Sequence, residues 1–401
     1  MYCRPVGKRK MRVLFDHQAF CMQTHGGVSR CFMELYKHLP NDIQARIALR
    51  ECNNAYVREC GIAPSESSEY YNWIIKGNWP AKGRLFNVYY SLLGYKNGAY
   101  WDKMRFNQYE SIRQLSQGDY DIFHPTFLFD YFLPYLNGKP FVLTIHDMIP
   151  ELYPQYYDAV HDPQILGKRK LAPLAGAIVV VSEKTKEDVV CLLKVPEEKV
   201  HVIYHGSSLS VPETVASTYD FPYILYVGER SMYKNFGLFV EQMASVLICH
   251  PELKIVCTGL SFSEKEIAML EKYGIRDHFI QHWVKSDAEL YSLYHYAVCF
   301  VYTSEYEGFG IPILEAYQAG CPVLLNNASC FPEVAGDAAI YFELNESSSN
   351  IAQVFEDFYH EDPCEIESLK VRQYARLQRY SWENAAQKLS SVYRQVLETS
   401  K

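Results

Sequence analysis

Between Val298 and Leu324 the chain changes character three times in quick succession. An apolar run, Val298 to Tyr302, reads as a buried strand. It leads into Ser304-Glu305-Tyr306-Glu307-Gly308-Phe309-Gly310-Ile311-Pro312-Ile313-Leu314-Glu315-Ala316, and Gly320-Cys321-Pro322-Val323-Leu324 follows. Two glycines flank Phe309, and Pro312 stands where a first helical turn begins, a place that suits its fixed φ and missing N–H. A strand opening through glycines into a helix leaves backbone N–H groups aimed outward, which is a ready anion site. The two carboxylates sit at different depths. Glu307 lies in the loop beside whatever the helix end binds, and Glu315 lies roughly five residues into the helix, about 7 Å deeper at ~1.5 Å per residue. One anionic ligand with hydroxyls on both sides of its phosphates, such as a nucleotide sugar, satisfies the whole arrangement. The plainer alternative is an ordinary strand–loop–helix unit with solvent-facing glutamates.

The rest of the chain repeats the strand–helix alternation. Met11–Asp16 reads as a strand, followed by a loop ending in Gly26-Gly27-Val28-Ser29-Arg30 and a helix with Val28, Phe32, Leu35, Tyr36 and Leu39 on one face. Glycine at that junction permits close approach of backbone to ligand. It is not the Gly-x-Gly-x-x-Gly fingerprint, so no nicotinamide cofactor is indicated. Phe141 to Pro150 is a strand ending in His146-Asp147, and polar groups at that end of a parallel strand face the ligand crevice. A core histidine is the alternative for His146. Strands at Ala177–Ser182 and Val200–Gly206 close the first half, and residues 206–222 read as a linker. A second alternation opens at Tyr223, where Gly228-Glu229-Arg230-Ser231-Met232-Tyr233-Lys234-Asn235 places two cations near a helix start, a pairing suited to phosphate. These patterns argue α/β class, with two doubly wound Rossmann-like domains facing a central cleft. The expected division is 1–210, joined by the last helix at about 381–401, and 211–380.

A chain of 401 residues with 48% apolar content has core enough for both domains. The basic start, Met1 to Lys10, is followed by no apolar signal core, and no run of about eighteen apolar residues spans a membrane. The twelve cysteines are scattered without Cys-x-x-Cys, which favours reduced thiols and a cytoplasmic setting over a zinc site. Net charge is −8, split as +4 over residues 1–210 and −12 over the remainder, with no dense basic stripe for nucleic acid. Residues 70–113 interleave aromatics with seven cations against two anions. Such a stretch suits an anionic lipid surface, or else packs its aromatics inward. Asp119-Tyr120-Asp121 offers a metal pair without a second acidic cluster, and no metal is expected.

Gly-Phe-Gly-x-Pro inside Glu-x7-Glu, with Ala319-Gly320-Cys321-Pro322-Val323 behind it, resembles the signature of retaining GT-B glycosyltransferases of family 4, the group 1 type. The family's Gly, then Arg or Lys, then Lys-Asn pattern is matched by Gly228, Arg230, Lys234 and Asn235, with Tyr233 where many members carry Arg. The resemblance is strongest from Tyr223 to Phe342. It implies hexose transfer from a GDP- or UDP-linked donor, mannose-like by preference, with retention and without a divalent metal or other cofactor. Arg230 and Lys234 would meet the diphosphate with the N–H groups of Gly308, Phe309, Gly310 and Ile311, while Gly26, Gly27 and Gly228 line its path. Glu307 would bind the transferred sugar with His146 beside it, Glu315 the ribose, and Val284 the base through backbone groups. Gly-Gly-Val-Ser-Arg and His-Asp-Met-Ile-Pro look like enzymes building surface polysaccharide (O-antigen, capsule, lipopolysaccharide) on a lipid-linked saccharide acceptor. That implies peripheral contact with the inner face of the cytoplasmic membrane. Two other readings share the motifs: a nucleotide-sugar epimerase/hydrolase, and a catalytically silent nucleotide-sugar-binding subunit.

Overall fold

Two parallel sheets carry the chain. The computed structural model describes residues 9–62, 88, 98–230, 232–345 and 348–399. In the first half, β1 (Met11–Phe15) is flanked by β2 (Ile43–Ile47) and β3 (Ile122–His124), and β4 (Val142–Ile145), β5 (Ala177–Val180) and β6 (Val200–Val202) pair in sequence. A parallel bridge, Phe123 to Phe141, joins the two sets into the order 2-1-3-4-5-6. In the second half, β7 (Tyr223–Tyr226), β8 (Lys254–Thr258), β9 (Phe279–His282), β10 (Cys299–Tyr302), β11 (Val323–Asn326) and β12 (Ile340–Phe342) form one sheet in the order 12-11-10-7-8-9. All of these pairings are parallel.

The sequence explains why the sheets are covered on both faces. Val-Leu-Thr-Ile in β4, Ala-Ile-Val-Val in β5, Tyr-Ile-Leu-Tyr in β7 and Cys-Phe-Val-Tyr in β10 are buried at every position. Continuous apolar strands of this kind belong in parallel sheets with helices on each side. The edge strand β2, Ile-Gln-Ala-Arg-Ile, is mostly half-buried and mixes polar with apolar residues, which makes it the least conspicuous strand in the sequence.

Each sheet reverses its winding once, between β1 and β3 and between β7 and β10. Loops beyond the carboxyl ends of strands diverge at such a point and leave a crevice for ligand. The last helix, Trp382–Thr399, packs against the first sheet, not the second: Trp382, Leu389, Tyr393 and Val396 share a core with Phe15, Phe32, Val142 and Val179. The Tyr393 hydroxyl lies 2.6 Å from His124 Nδ1 in that core. At about 1.5–3 kcal/mol for each large apolar side chain fully buried, this packing straps the chain's end to its beginning. Among the described residues no helix is long and apolar enough to cross a membrane, and the eleven described cysteines are free thiols.

Candidate active site

The loop after β10 is the centre of the site. Gly310 caps the helix Ile311–Gln318 with φ +89°, a left-handed conformation that only glycine adopts without strain, and Pro312 sits in the first turn. No side chain caps this helix end. Pro312 has no N–H and the Ile313 N–H turns back on the Gly310 carbonyl at 3.0 Å, so the Gly310 and Ile311 N–H groups are what this helix end offers an anion. Glu307 is pinned from both sides: its N–H donates to Ser329 Oγ at 3.2 Å, and Ser329 Oγ donates back to its carbonyl at 2.9 Å. Its carboxylate accepts from Ser304 Oγ at 2.7 Å and forms an ion pair with Lys234.

Lys234 reaches Glu307 from the loop after β7. That loop is tied to β10, since Thr303 Oγ1 donates to the Lys234 carbonyl at 2.6 Å. The two strands flanking the second sheet's reversal therefore deliver one cation and one carboxylate to the same point. Gly228 stands at the start of this loop with φ +108°. Arg230 goes elsewhere. Its Nε donates to Glu266 at 2.7 Å and its Nη2 to the carbonyls of Leu260 and Ser261 at 2.7 and 3.1 Å. The guanidinium also stacks 4.7 Å over Phe262. Arg230 and Lys234, adjacent in the motif, thus face different partners, because Glu266 on the helix Glu264–Lys272 holds the arginine.

Glu315 is buried below the loop. Tyr294 donates to it at 3.2 Å, and Arg30 of the first half lies 4.0 Å away. Burial raises the carboxyl above its ordinary range, against the pull of Arg30. Arg30 also donates to Asp287 at 2.7 Å and to the Ser208 carbonyl at 2.8 Å. Val284 is half-buried in the turn between β9 and the helix Asp287–Tyr296, next to an exposed Trp283.

From the first half, His146 at the end of β4 approaches the same loop. A Cβ on Gly308 would lie 1.9 Å from the His146 carbonyl oxygen, so only glycine permits this approach. His146 Nε2 is buried without a hydrogen-bond partner, and burial pushes the imidazole pKa down to about 4, which keeps it neutral at neutral pH. Gly26 and Gly27 begin the helix Gly27–His38, where the Ser29 N–H donates to the Gln23 side chain at 3.0 Å, and open space lies beside Gly27. Phe309 is buried against His205 and Tyr380, with ring centroids 5.1 and 5.6 Å apart.

Contacts across the cleft hold the halves together. Glu333 accepts from the N–H groups of Glu183 and Lys184 at 2.7 and 3.2 Å, capping in trans the helix Glu183–Leu193. Tyr306 donates to Asp188 at 2.6 Å, and Thr185 donates to the Gly308 carbonyl at 3.3 Å. Arg30, Asp188, Asp287 and Glu333 are functional candidates that sequence reasoning missed, since each is defined by a partner more than a hundred residues away.

Asp119 and Asp121 lie at the opposite, amino end of β3. Arg12 pairs with both, Arg46 with Asp119 at 3.2 Å and Arg9 with Asp121 at 3.2 Å, so these carboxylates anchor the start of the sheet. Of the aromatic–basic stretch 70–113, residues 70–87 and 89–97 lie outside the described residues. Apart from an exposed Val88, the remainder falls on the helix Gly98–Gln117, where Phe106 is buried, Tyr109 is exposed and Arg113 pairs with Glu110 at 2.6 Å.

Residues 25–211 match the family model described as Glycosyltransferase Family 4, and residues 212–378 match Glycosyl transferases group 1. The O-antigen chain mannosyltransferase B of Escherichia coli is 28% identical over 280 residues, covering 66% of this chain and 72% of that protein. The GDP-mannose:cellobiosyl-diphosphopolyprenol alpha-mannosyltransferase of Xanthomonas oryzae pv. oryzae is 23% identical over 280 residues, covering 67% and 72%. Among solved structures, Anabaena HepE in complex with UDP and glucose superposes with a TM-score of 0.65 at 15% identity, covering 95% of this chain and 98% of that one. A sucrose-phosphate synthase from Thermosynechococcus elongatus gives 0.64 at 15%, covering 97% and 100%. At such identities the likeness shows the two-domain GT-B fold.

Proposed function

The chain belongs to the group 1, family 4 glycosyltransferases, and we propose that within this family it moves a mannose-like hexose from a GDP- or UDP-linked donor to a saccharide acceptor with retention at the anomeric carbon. The convergence of Lys234 and Glu307 over an uncapped helix end carries this reading. As the bond from the anomeric carbon to the diphosphate oxygen breaks, charge builds on the leaving group. Lys234 and the N–H groups near Phe309 and Gly310 stabilise that charge, and preorganised donors of this kind are most effective where water is excluded. Arg230 joins them on release from Glu266. The acceptor hydroxyl attacks the face being vacated and passes its proton to a diphosphate oxygen, so no protein base and no divalent metal is required. Glu307 binds sugar hydroxyls with His146 beside them, and Glu315 binds the ribose after Arg30 turns away. Gly26 and Gly27 face the diphosphate from the domain formed by 1–210 and 381–401, across from 211–380.

A thermal-shift screen of GDP, UDP and dTDP sugars tests the donor, since a ligand at 100 times its dissociation constant stabilises by about 2.7 kcal/mol. Product configuration is read by NMR. Release of free sugar without acceptor would replace this reading with the epimerase/hydrolase, and donor binding without turnover with the silent subunit.

The two glutamates separate in calorimetry. Glu315→Ala weakens binding of the free nucleoside diphosphate by about 10-fold or more, the worth of a lost charged hydrogen bond at ~1.5–3 kcal/mol, whereas Glu307→Ala leaves it within a few-fold. Equal losses would show that the assignment of sugar and ribose is wrong.

We further propose a lipid-linked acceptor in surface polysaccharide synthesis, reached by peripheral contact of the 70–113 stretch with anionic membrane. Names of relatives such as the Xanthomonas enzyme support the acceptor class. Each basic residue near such a surface contributes about 1 kcal/mol, weakened by salt. Cosedimentation with vesicles containing phosphatidylserine is expected at low salt and lost at high salt or on replacing Lys76, Lys82, Arg84 and Lys96 by Gln. Wild-type protein left in the supernatant at low salt would exclude this contact.

A further inference from the structure

Below the cleft floor, three metal-ligating side chains from three separate elements meet. Cys31 comes from the helix Gly27–His38, His146 from the end of β4 and His205 from the turn after β6. One ligand atom from each lies within 4.8 Å of the others. Cys31 Sγ is 3.5 Å from His205 Nδ1, and the two imidazole rings are 5.9 Å apart. Cys31 and His205 are buried, and His146 Nε2 is a buried nitrogen without a partner. A lone imidazole nitrogen in such a place is left without compensation for the water it gave up. Nothing in the glycosyl-transfer reading uses Cys31 or His205.

We propose that Cys31, His146 and His205 bind a thiophilic divalent ion of the Zn²⁺ class, and that this ion inhibits transfer. One sulfur and two imidazole nitrogens make a three-ligand set with an open fourth position, a combination zinc favours. With Zn–S at ~2.3 Å and Zn–N at ~2.0–2.1 Å, ligand atoms sit about 3.5 Å apart, the spacing that Cys31 Sγ and His205 Nδ1 already hold, and the His146 nitrogen closes on them from within 4.8 Å. Cys31 releases its proton to solvent as the Zn–S bond forms, and the bound set carries one net positive charge. All three ligands belong to the first half of the chain, so the site does not depend on domain closure. Its cover does: Phe309 of the second half packs against His205, and the Gly308 loop lies on His146. Separation of the halves opens the entry path. Once the ion takes the His146 nitrogen, that imidazole is lost to the donor sugar. The inhibition rests on the role proposed above for His146, whereas the binding does not.

The test uses a Glu356→Gln, His360→Gln parent, which removes the other described cluster of this kind, His250 with Glu356 and His360. After chelator treatment, equilibrium dialysis against ZnCl₂ is expected to give one ion per chain, and Co²⁺ a thiolate-to-cobalt charge-transfer band. Cys31→Ser abolishes the band and lowers Zn²⁺ affinity beyond the ~10–100-fold that loss of an outer-shell partner costs. His205→Gln lowers affinity likewise and serves as the independent variant, with circular dichroism recording that each is folded. In the transfer assay Zn²⁺ inhibits the parent, a chelator restores it, and Cys31→Ser keeps basal transfer while escaping inhibition. No bound Zn²⁺, or affinity unchanged in both variants, overturns the site. Binding without inhibition overturns the inhibitory role and the placing of His146 beside the sugar, while leaving the ion site and the family membership standing.

Discussion

Lys234→Ala is expected to lower the transfer rate by 10²–10³, with transfer by the unaltered chain continuing in EDTA. The magnitude is that of one lost preorganised donor to charge developing in a transition state. The geometry gives the substitution its force. In the loop after β7 the Lys234 carbonyl accepts from the Thr303 hydroxyl and its ammonium pairs with Glu307, so that ammonium does not search for its place when donor arrives. Arg230 must first leave Glu266 and two carbonyls to reach the diphosphate, so it adds to Lys234 without replacing it. Free nucleoside diphosphate binds more weakly in the variant, because ground-state phosphate loses the same cation. Thermal unfolding, followed in parallel, separates this from lost folding, since Glu307 keeps its hydrogen bond from Ser304. Inactivation by EDTA, restored by manganese, together with near-normal rates in Lys234→Ala, would reverse the reading and require a metal on the diphosphate. Asp119 and Asp121 would not supply its ligands from where they stand, since arginines hold them at the other end of the sheet.

The parts of this site legible in the sequence are those set by local chain geometry. Gly310 and Pro312 define a helix start that neighbouring residues alone dictate, and Glu307 and Glu315 follow at fixed offsets from it. The apolar strands were legible because burial on both faces removes every polar residue, as in β5 and β10. β2 was not, because an edge strand tolerates Gln44 and Arg46. Nor was the behaviour of the cations. Whether Arg230 faces phosphate or Glu266 depends on a helix thirty-six residues further along, and whether Arg30 is free depends on Asp287. The pattern Gly-Gly-Val-Ser-Arg marks Arg30 as near the cleft but says nothing of a partner in the other half. Cys31 and His205 were invisible as a pair for the same reason: their contact spans 174 positions and no motif links them. Periodicity reports which face of an element is buried. It does not report what that face meets.

Gly308→Ala tests that meeting of faces most directly, and transfer is expected to fall by about 10²-fold while both halves stay folded. The substitution adds one methyl group at a backbone that needs no left-handed torsion, so the chain accepts alanine locally. What it meets is the His146 carbonyl oxygen at 1.9 Å, against the ~3 Å minimum for real Cβ contacts. That oxygen is backbone on a strand end, not the tip of a flexible side chain, and it belongs to the other half of the chain. Relief therefore comes from moving the halves apart by about 1 Å or more at this point, and a misplacement of ~1 Å costs on the order of 10²-fold in rate. The Thr185 bond to the Gly308 carbonyl and the Tyr306 bond to Asp188 lie on the same seam and weaken with it. Lys234, Glu307 and Glu315 all lie in the second half, so nucleoside diphosphate affinity stays within a few-fold of normal. That separates this variant from Lys234→Ala, in which affinity and rate fall together. Small-angle scattering with bound nucleotide is expected to show a larger radius of gyration than the parent. Full transfer activity in Gly308→Ala would mean that the reacting arrangement is more open than the one described, and that the close passage of Gly308 over His146 serves packing alone.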